Sequence, residues 1–242
     1  MTLAIIGGTG LTQLEDFEPL ASHSVKTPYG SASADYVSGK LGDKELIFLA
    51  RHGNPHKIAP HKINYRANLW GLKELGVTKI IAVAAVGGIS KAMSPAQLVI
   101  PDQLIDYSYG REQTFFAADD AVVQHIDFTY PYSASLREKL IAAATQVQIH
   151  LVPCAVYGCT QGPRLETAAE IVRMEKDGCD IVGMTGMPEA ALARELNLPY
   201  ATLAVIANWA AGKTAGEITL ADIERYLKIG MVNVALLLKA LP

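Results

Sequence analysis

The sequence predicts an α/β fold: a central mixed, largely parallel sheet flanked by helices. Three observations carry this expectation. Short apolar runs rich in branched residues recur along the chain, several without a polar interruption, as strands covered on both faces read. Segments of helical spacing lie between them, and that alternation is the signature of α/β layering. The chain has 242 residues, 50% of them hydrophobic and 19% charged, so it can bury a large core without staples.

The elements follow in order. Residues 3–7 (LAIIG) and 45–50 (ELIFLA) read as strands. NYRANLWGLKELG (64–76) reads as a helix that stops at Gly76. KIIAVAAV (79–86) and QLVIP (97–101) are further strands. The stretch 107–131 is polar and aromatic with weak periodicity, and is expected to be a long, functional loop. SASLREKLIAAATQV (133–147) opens on serines suited to capping a helix. PCAVYGC (153–159) is a strand, RLETAAEIVRMEKDG (164–178) a helix ending on glycine, and CDIVGM (179–184) a strand. PEAALARELN (188–197) starts a helix with proline at its first position and Glu189 in its first turn. YATLAVIA (200–207) is the last strand, and 217–241 is a long amphipathic C-terminal helix. Without repeats, low-complexity tracts or a linker, residues 1–242 are expected to form one domain.

Composition excludes several classes. The net charge of −3 with no basic stripe argues against a nucleic-acid partner. The opening MTLAIIGGTG has no basic region of a signal peptide, and no run of about 18 apolar residues predicts a membrane span. Cys154, Cys159 and Cys179 are odd in number and lack metal spacing; they read as reduced thiols of a cytoplasmic protein. His23, His56, His61 and His150 show no ligand spacing either, so no metal is expected. The GxSxG and HExxH patterns are absent.

Four stretches carry chemistry. GGTGL (7–11) follows a strand; its glycines let backbone approach an anion, and Thr9 offers a hydroxyl and an amide. A plain tight turn is the alternative, and Gln13 at the third glycine position excludes a dinucleotide fingerprint. AAGKT (210–214) imitates a P-loop, but the position of its first glycine is Ala207. Arg51-His52-Gly53 ends a strand and supports two readings. His52 takes a phosphoryl group, as in histidine phosphatases, or Arg51 clamps a phosphate while His52 adds a donor. In those phosphatases the motif follows the first strand, whereas here fifty residues precede it. Finally, GMTGMPEAALARE (183–195) puts Met184 and Thr185 between a strand end and a helix start, suited to an anion or sugar. YGCTQGPRLET (157–167) repeats that arrangement with Glu166 just inside its helix.

Taken together, GGTGL, RHG with NYRANLWGLKELG, AVGGI, QLVIPDQLIDYS, GPRLET, GMTGMPEAALARE and the Asn208 region resemble the trimeric purine nucleoside phosphorylase and methylthioadenosine phosphorylase family, in that family's order and over nearly the whole chain. The resemblance implies that inorganic phosphate, as co-substrate, attacks carbon 1 of a ribose, with no metal or organic cofactor. It implies a cytoplasmic homotrimer acting on a small nucleoside. The phosphate site would comprise Thr9, Arg51, His52, Ala84, Ala85 and Thr185. Ala84 departs from the threonine of methylthioadenosine phosphorylases, so a hydroxyl is lost there while the backbone amides remain. Met184 would lie under the ribose, and His125 from a neighbouring subunit would close over the 5′ end.

The same resemblance bears on specificity. Adenosine-type members carry a serine at Glu166 and aspartates at Asn208 and Ala210; 6-oxopurine members use a glutamate and an asparagine. A carboxylate accepts from the N1–H of a 6-oxopurine and repels the bare N1 of adenine, and such mismatches discriminate strongly. Asn208 would hydrogen-bond O6 and N7 and stabilise the leaving base. Trp209 either lines the base pocket or fills the core. At the 5′ end, inosine and guanosine phosphorylases place a histidine where Leu220 aligns, with Ile223 on the same helical face. An apolar residue there suits a thioether methyl, whose transfer is worth about 0.8 kcal/mol. The expected reaction is phosphorolysis of a 5′-methylthio-6-oxopurine nucleoside, with a general 6-oxopurine phosphorylase or a methylthioadenosine phosphorylase as the alternatives.

Overall fold

A computed structural model describes residues 2–8, 16–117 and 122–242. Strand β1 (Thr2–Gly7) lies between β4 (Lys44–Ala50) and β5 (Val77–Gly88) and runs parallel to both. Along β1, Leu3 and Ile5 enter one apolar cluster while Ala4 and Ile6 enter another, so both faces are buried. That is why LAIIG reads as continuously apolar. Helices α1 (Tyr65–Glu74) and α4 (Gly186–Glu195) cover one face through Leu69, Leu72, Ala190 and Leu192. Helices α2 (Ala134–Gln146) and α5 (Leu220–Ala240) cover the other through Leu136, Leu140, Leu237 and Leu238. Each such buried leucine contributes about 1.5–3 kcal/mol from burial.

The sheet divides along β5. Strand β11 (Tyr200–Trp209) accompanies β5 in parallel from Ile80 to Gly88. On the opposite edge, β1 reaches only Ala82, and β10 (Ile181–Gly183) pairs antiparallel with Gly87 and Gly88 alone. The backbone of residues 83–86 is left without a strand on that side. From β10 the sheet continues in parallel through β9 (Val156–Cys159) to β7 (Gln103–Asp106). Short strands β6 (Leu98–Val99) and β8 (Leu151–Val152) extend β11. Helix α3 (Ala168–Lys176) packs Ile171 and Met174 on a smaller cluster beside β10.

Local chemistry sets the helix starts. Asn64, Ser133, Thr167 and Thr219 each accept a backbone N–H at the N-cap of α1, α2, α3 and α5, and Thr167 with Glu170 forms a full capping box. These caps place two starts later than the apolar pattern predicts. α5 begins at Leu220, and Glu166 lies just ahead of α3 instead of inside it. The fourth helix carries a non-helical residue, Met187, so its regular turns begin at Pro188. The expected strand at 97–101 shrinks to Leu98–Val99.

Strands β2 (Phe17–His23) and β3 (Tyr36–Leu41) were not expected. They form an antiparallel extension beyond β4. Most of β2 is exposed, and Pro19 sits at a register shift in it, so it lacks the apolar run that marks the buried strands. The described residues of the 107–131 stretch contain no helix or strand.

Candidate active site

The division of the sheet opens a cavity of about 470 Å³, ample for a nucleoside and an anion. Its floor is the unpaired stretch of β5. Ala85 lies in the middle of the longest strand yet is exposed, because it faces this cavity. Along a strand, N–H and C=O groups two residues apart point the same way. The Val83 carbonyl accepts from Arg51 Nη1 at 3.2 Å on this side, so the N–H of Ala85 is directed into the cavity as well.

Arg51 follows β4, with its backbone N–H on the Gly7 carbonyl at 2.8 Å. The side chain is 1% exposed and meets Glu189 of α4, itself 0% exposed. Nε and Nη2 donate to the two carboxylate oxygens at 2.7 and 2.8 Å, and Tyr200 donates to the same carboxylate at 2.9 Å. Burial alone would lower the Arg51 pKa; the Glu189 charge and hydrogen bonds outweigh it and hold the value above the ordinary one. With the Val83 bond, three of five guanidinium N–H groups are committed, leaving two for a ligand. The guanidinium fork is therefore spent on Glu189.

His52 is also largely buried. Its Nδ1 lies 2.8 Å from the Ile58 carbonyl, an acceptor only, so Nδ1 carries the proton. Burial first, then the neighbouring Arg51 charge, lower its pKa to about 4 against the pull of that hydrogen bond. The ring is neutral at pH 7 and Nε2 bears a lone pair. This corrects the expectation of a donor at His52: towards a ligand, it accepts. His56, stacked on His52 with ring centroids 4.3 Å apart, also lines the cavity. A Cβ at Gly8 would come within 3.2 Å of the His52 ring, so glycine there admits the close approach of the first turn.

Opposite stands Thr185 at the N-cap of α4, 8% exposed, with its N–H 3.4 Å from the Tyr157 hydroxyl. Ala84, Ala85, Arg51, His52 and Thr185 thus share one end of the cavity with Gly8. Met184 lines the next part, backed by Gly162, whose φ of +62° and closeness to the Met184 sulfur (2.5 Å to an added Cβ) leave no room for a side chain. Glu166 and Asn208 line the same cavity, Asn208 beside Gly87, four residues along β5 from the Val83 carbonyl that Arg51 meets. Thr160 Oγ1 donates to Glu166 Oε1 at 2.7 Å, leaving the other carboxylate oxygen for a ligand. Asn208 is aimed by a register shift between Ile206 and Asn208, a bulge that turns its side chain. Its Nδ2 donates to the Trp209 carbonyl at 2.7 Å, which orients the amide.

The remaining wall comes from α5: Ile223, Leu227 and Met231, spaced four apart on one face. Ile223 lies where the sequence placed it. Leu220 does not, and this is a correction: as the first residue of α5 it is 77% exposed and outside the cavity lining. Trp209 and Ala210 are likewise not among the lining residues; Ala210 packs in the small cluster with Ile171 and Val182. His125 is exposed on the long loop and does not line the cavity of its own chain. Thr9 falls outside the described residues. Among the described residues no cluster of three His, Cys, Asp or Glu could hold a metal ion.

The sequence did not reveal the partnership of Glu189 with Arg51, the lining roles of Leu227 and Met231, or Arg111. The α5 pair was accessible by stepping one and two turns from Ile223. The ion pair joins residues 138 positions apart, which no local pattern can signal.

The chain matches the Phosphorylase superfamily model over residues 2–241. It is 56% identical over 231 residues to a probable S-methyl-5′-thioinosine phosphorylase of Pseudomonas syringae pv. tomato, covering 96% of this chain and 94% of the relative. It is 45% identical over 246 residues to a 6-oxopurine nucleoside phosphorylase of Pyrococcus furiosus, covering 99% and 92%. Among solved structures, methylthioadenosine phosphorylase from Schistosoma mansoni in complex with adenine superposes with a TM-score of 0.94 at 31% identity, covering 99% of this chain and 90% of that one.

Proposed function

The chain belongs to the phosphorylase superfamily, and from that premise we propose that it cleaves S-methyl-5′-thioinosine with inorganic phosphate, giving hypoxanthine and 5-methylthioribose 1-phosphate. It is a nucleoside phosphorylase, a pentosyltransferase, by its relatives. The observation that carries the substrate is the pairing, in one cavity, of Glu166 and Asn208 with the wholly apolar α5 wall. Glu166 has a free carboxylate oxygen to accept N1–H of a 6-oxopurine. Ile223, Leu227 and Met231 offer a 5′-hydroxyl no hydrogen bond, but they bury a thioether methyl.

The mechanism follows from the placement of these groups. Phosphate sits between Arg51, the backbone at Ala84 and Ala85, Thr185 and His52. Because His52 Nε2 accepts, the bound species is monohydrogen phosphate with its P–OH directed at that nitrogen. As the C–N bond of the nucleoside stretches, its electron pair moves to the purine and positive charge develops on the ribose over Met184. The phosphate anion stabilises that charge and one of its oxygens bonds to carbon 1. Asn208, its amide fixed by Trp209, holds the departing purine anion through O6 and N7; the base takes up one proton from water as the new ester loses its P–OH proton, leaving neutral hypoxanthine and a dianionic sugar phosphate. The co-substrate is inorganic phosphate.

We further propose a homotrimer in which the exposed loop of one subunit, with His125, closes the cavity of the next. Apolar side chains on that loop, Val122 and Val123, are strongly exposed in the single chain. Three free cysteines support a cytoplasmic location, and no described helix is long and apolar enough to cross a membrane.

The test is phosphate-dependent kcat/KM for methylthioinosine, inosine and methylthioadenosine side by side. A clear preference for methylthioinosine is the expected result. Equal use of inosine would leave a general 6-oxopurine phosphorylase, the second reading favoured by the Pyrococcus relative. Preference for methylthioadenosine would refute the roles of Glu166 and Asn208.

A further inference from the structure

Arg111 leaves the long loop and reaches back beneath the active site. Nε donates to Gln161 Oε1 at 3.1 Å. Nη1 donates to the carbonyls of Met184 and Met187 at 2.9 and 2.5 Å, and Nη2 to those of Thr160 and Gln161 at 3.0 and 2.9 Å. These bonds use all five guanidinium N–H groups. Nη1 also lies 3.5 Å from the Tyr65 hydroxyl, and among the described residues none of these partners carries a charge, in contrast to Arg51, whose charge is answered by Glu189. A half-buried arginine with only neutral partners is unusual, because desolvating it without a counter-ion is costly.

The partners explain where that positive charge acts. Met184 lines the cavity beside Thr185, at the turn joining β10 to α4. Thr160 directly follows β9, and its hydroxyl fixes Glu166. One guanidinium therefore holds the backbone next to the residues assigned to phosphate, ribose and base. We propose that Arg111 is a positioning residue for phosphorolysis: it fixes the 184–187 turn and the end of β9 in register with each other, and it adds a positive charge, with no ion-pair partner among the described residues, behind an anion site whose own arginine is neutralised. It touches no substrate. The inference rests on the phosphorylase reading but makes its own claim.

The experiment compares wild type, Arg111→Ala and Arg111→Lys, each with and without guanidinium at tens of millimolar, with ammonium as the ionic control. Displacement of catalytic groups by about 1 Å costs roughly 100-fold in rate, so Arg111→Ala is expected to lose about that much kcat and to bind phosphate more weakly by calorimetry. Guanidinium, but not ammonium, is expected to restore a measurable part of both. Arg111→Lys keeps the charge with fewer, differently directed donors and should fall between. If Arg111→Ala lowers only the melting temperature and leaves kcat and phosphate affinity within threefold of wild type, Arg111 is a loop anchor and the proposal is overturned. If Arg111→Ala does not fold, Arg111→Lys decides: wild-type kcat and phosphate affinity in that variant overturn the proposal equally. A wild type inert towards all three nucleosides refutes the proposed function instead, and phosphate calorimetry still judges Arg111.

Discussion

His52 shows how far one side chain's environment can reverse an expectation drawn from its type. Its folded pKa of about 4 lies below the ordinary histidine value of 6.5. Between those values the unfolded chain binds a proton that the native ring refuses, so stability rises with pH across that window. The protein is expected to lose stability progressively as pH falls from about 6.5 towards 4, and His52→Asn should flatten part of that slope. Melting temperature against pH for the two proteins checks it; identical slopes would mean that His52 is not held neutral by its surroundings. At this scale the sequence was informative about which residues gather: Arg51, His52, Thr185, Met184, Glu166 and Asn208 were all singled out, and all line the cavity. It was uninformative about what each atom does. Nothing in Arg-His-Gly tells that the Ile58 carbonyl accepts from Nδ1–H or that Glu189 takes the arginine fork.

Helix α5 shows the same limit one level up. The amphipathic pattern announced the helix, but Thr219 decided its first turn and hence its phase against the cavity. Leu220 fell outside, and the face bearing Ile223, Leu227 and Met231 fell inside. If this face selects the 5′ substituent, Ile223→His should favour a 5′-hydroxyl. The ratio of kcat/KM for methylthioinosine to that for inosine is expected to fall by roughly tenfold, the worth of a methyl plus a gained hydrogen bond. Leu220→Ala should leave that ratio unchanged; a shift there would restore Leu220 to the site. Strands followed a similar rule. Those buried on both faces were legible as apolar runs, while β2, exposed and interrupted by Pro19, was not.

For the whole molecule, the site depends on the sheet splitting along β5, a long-range event set by where β1 stops and where β10 joins. Alternating strands and helices foretold a mixed sheet but not its division, because pairing partners so distant in sequence leave no local trace. Assembly belongs to this scale too. His125 does not line the cavity of its own chain, and in the proposed homotrimer it would close that of a neighbour. Sedimentation equilibrium is expected to give three times the 25.9 kDa of one chain, and His125→Ala to weaken nucleoside binding without dissociating the assembly. A monomer of full activity would remove His125 from the mechanism.

The Arg51–Glu189 pair has a kinetic corollary. An arginine already bonded to a buried carboxylate presents little net field to solvent, so anions are recognised at short range by shape and N–H direction, not drawn in from afar. Arg51 therefore adds little grip on a dianion merely for being one, and that grip falls to the proposed charge of Arg111 behind the turn. The sugar phosphate formed in each turnover carries the same charge as the phosphate consumed, and a more strongly cationic site would retain it. With its charge answered by Glu189, Arg51 does not itself add to the retention of that product.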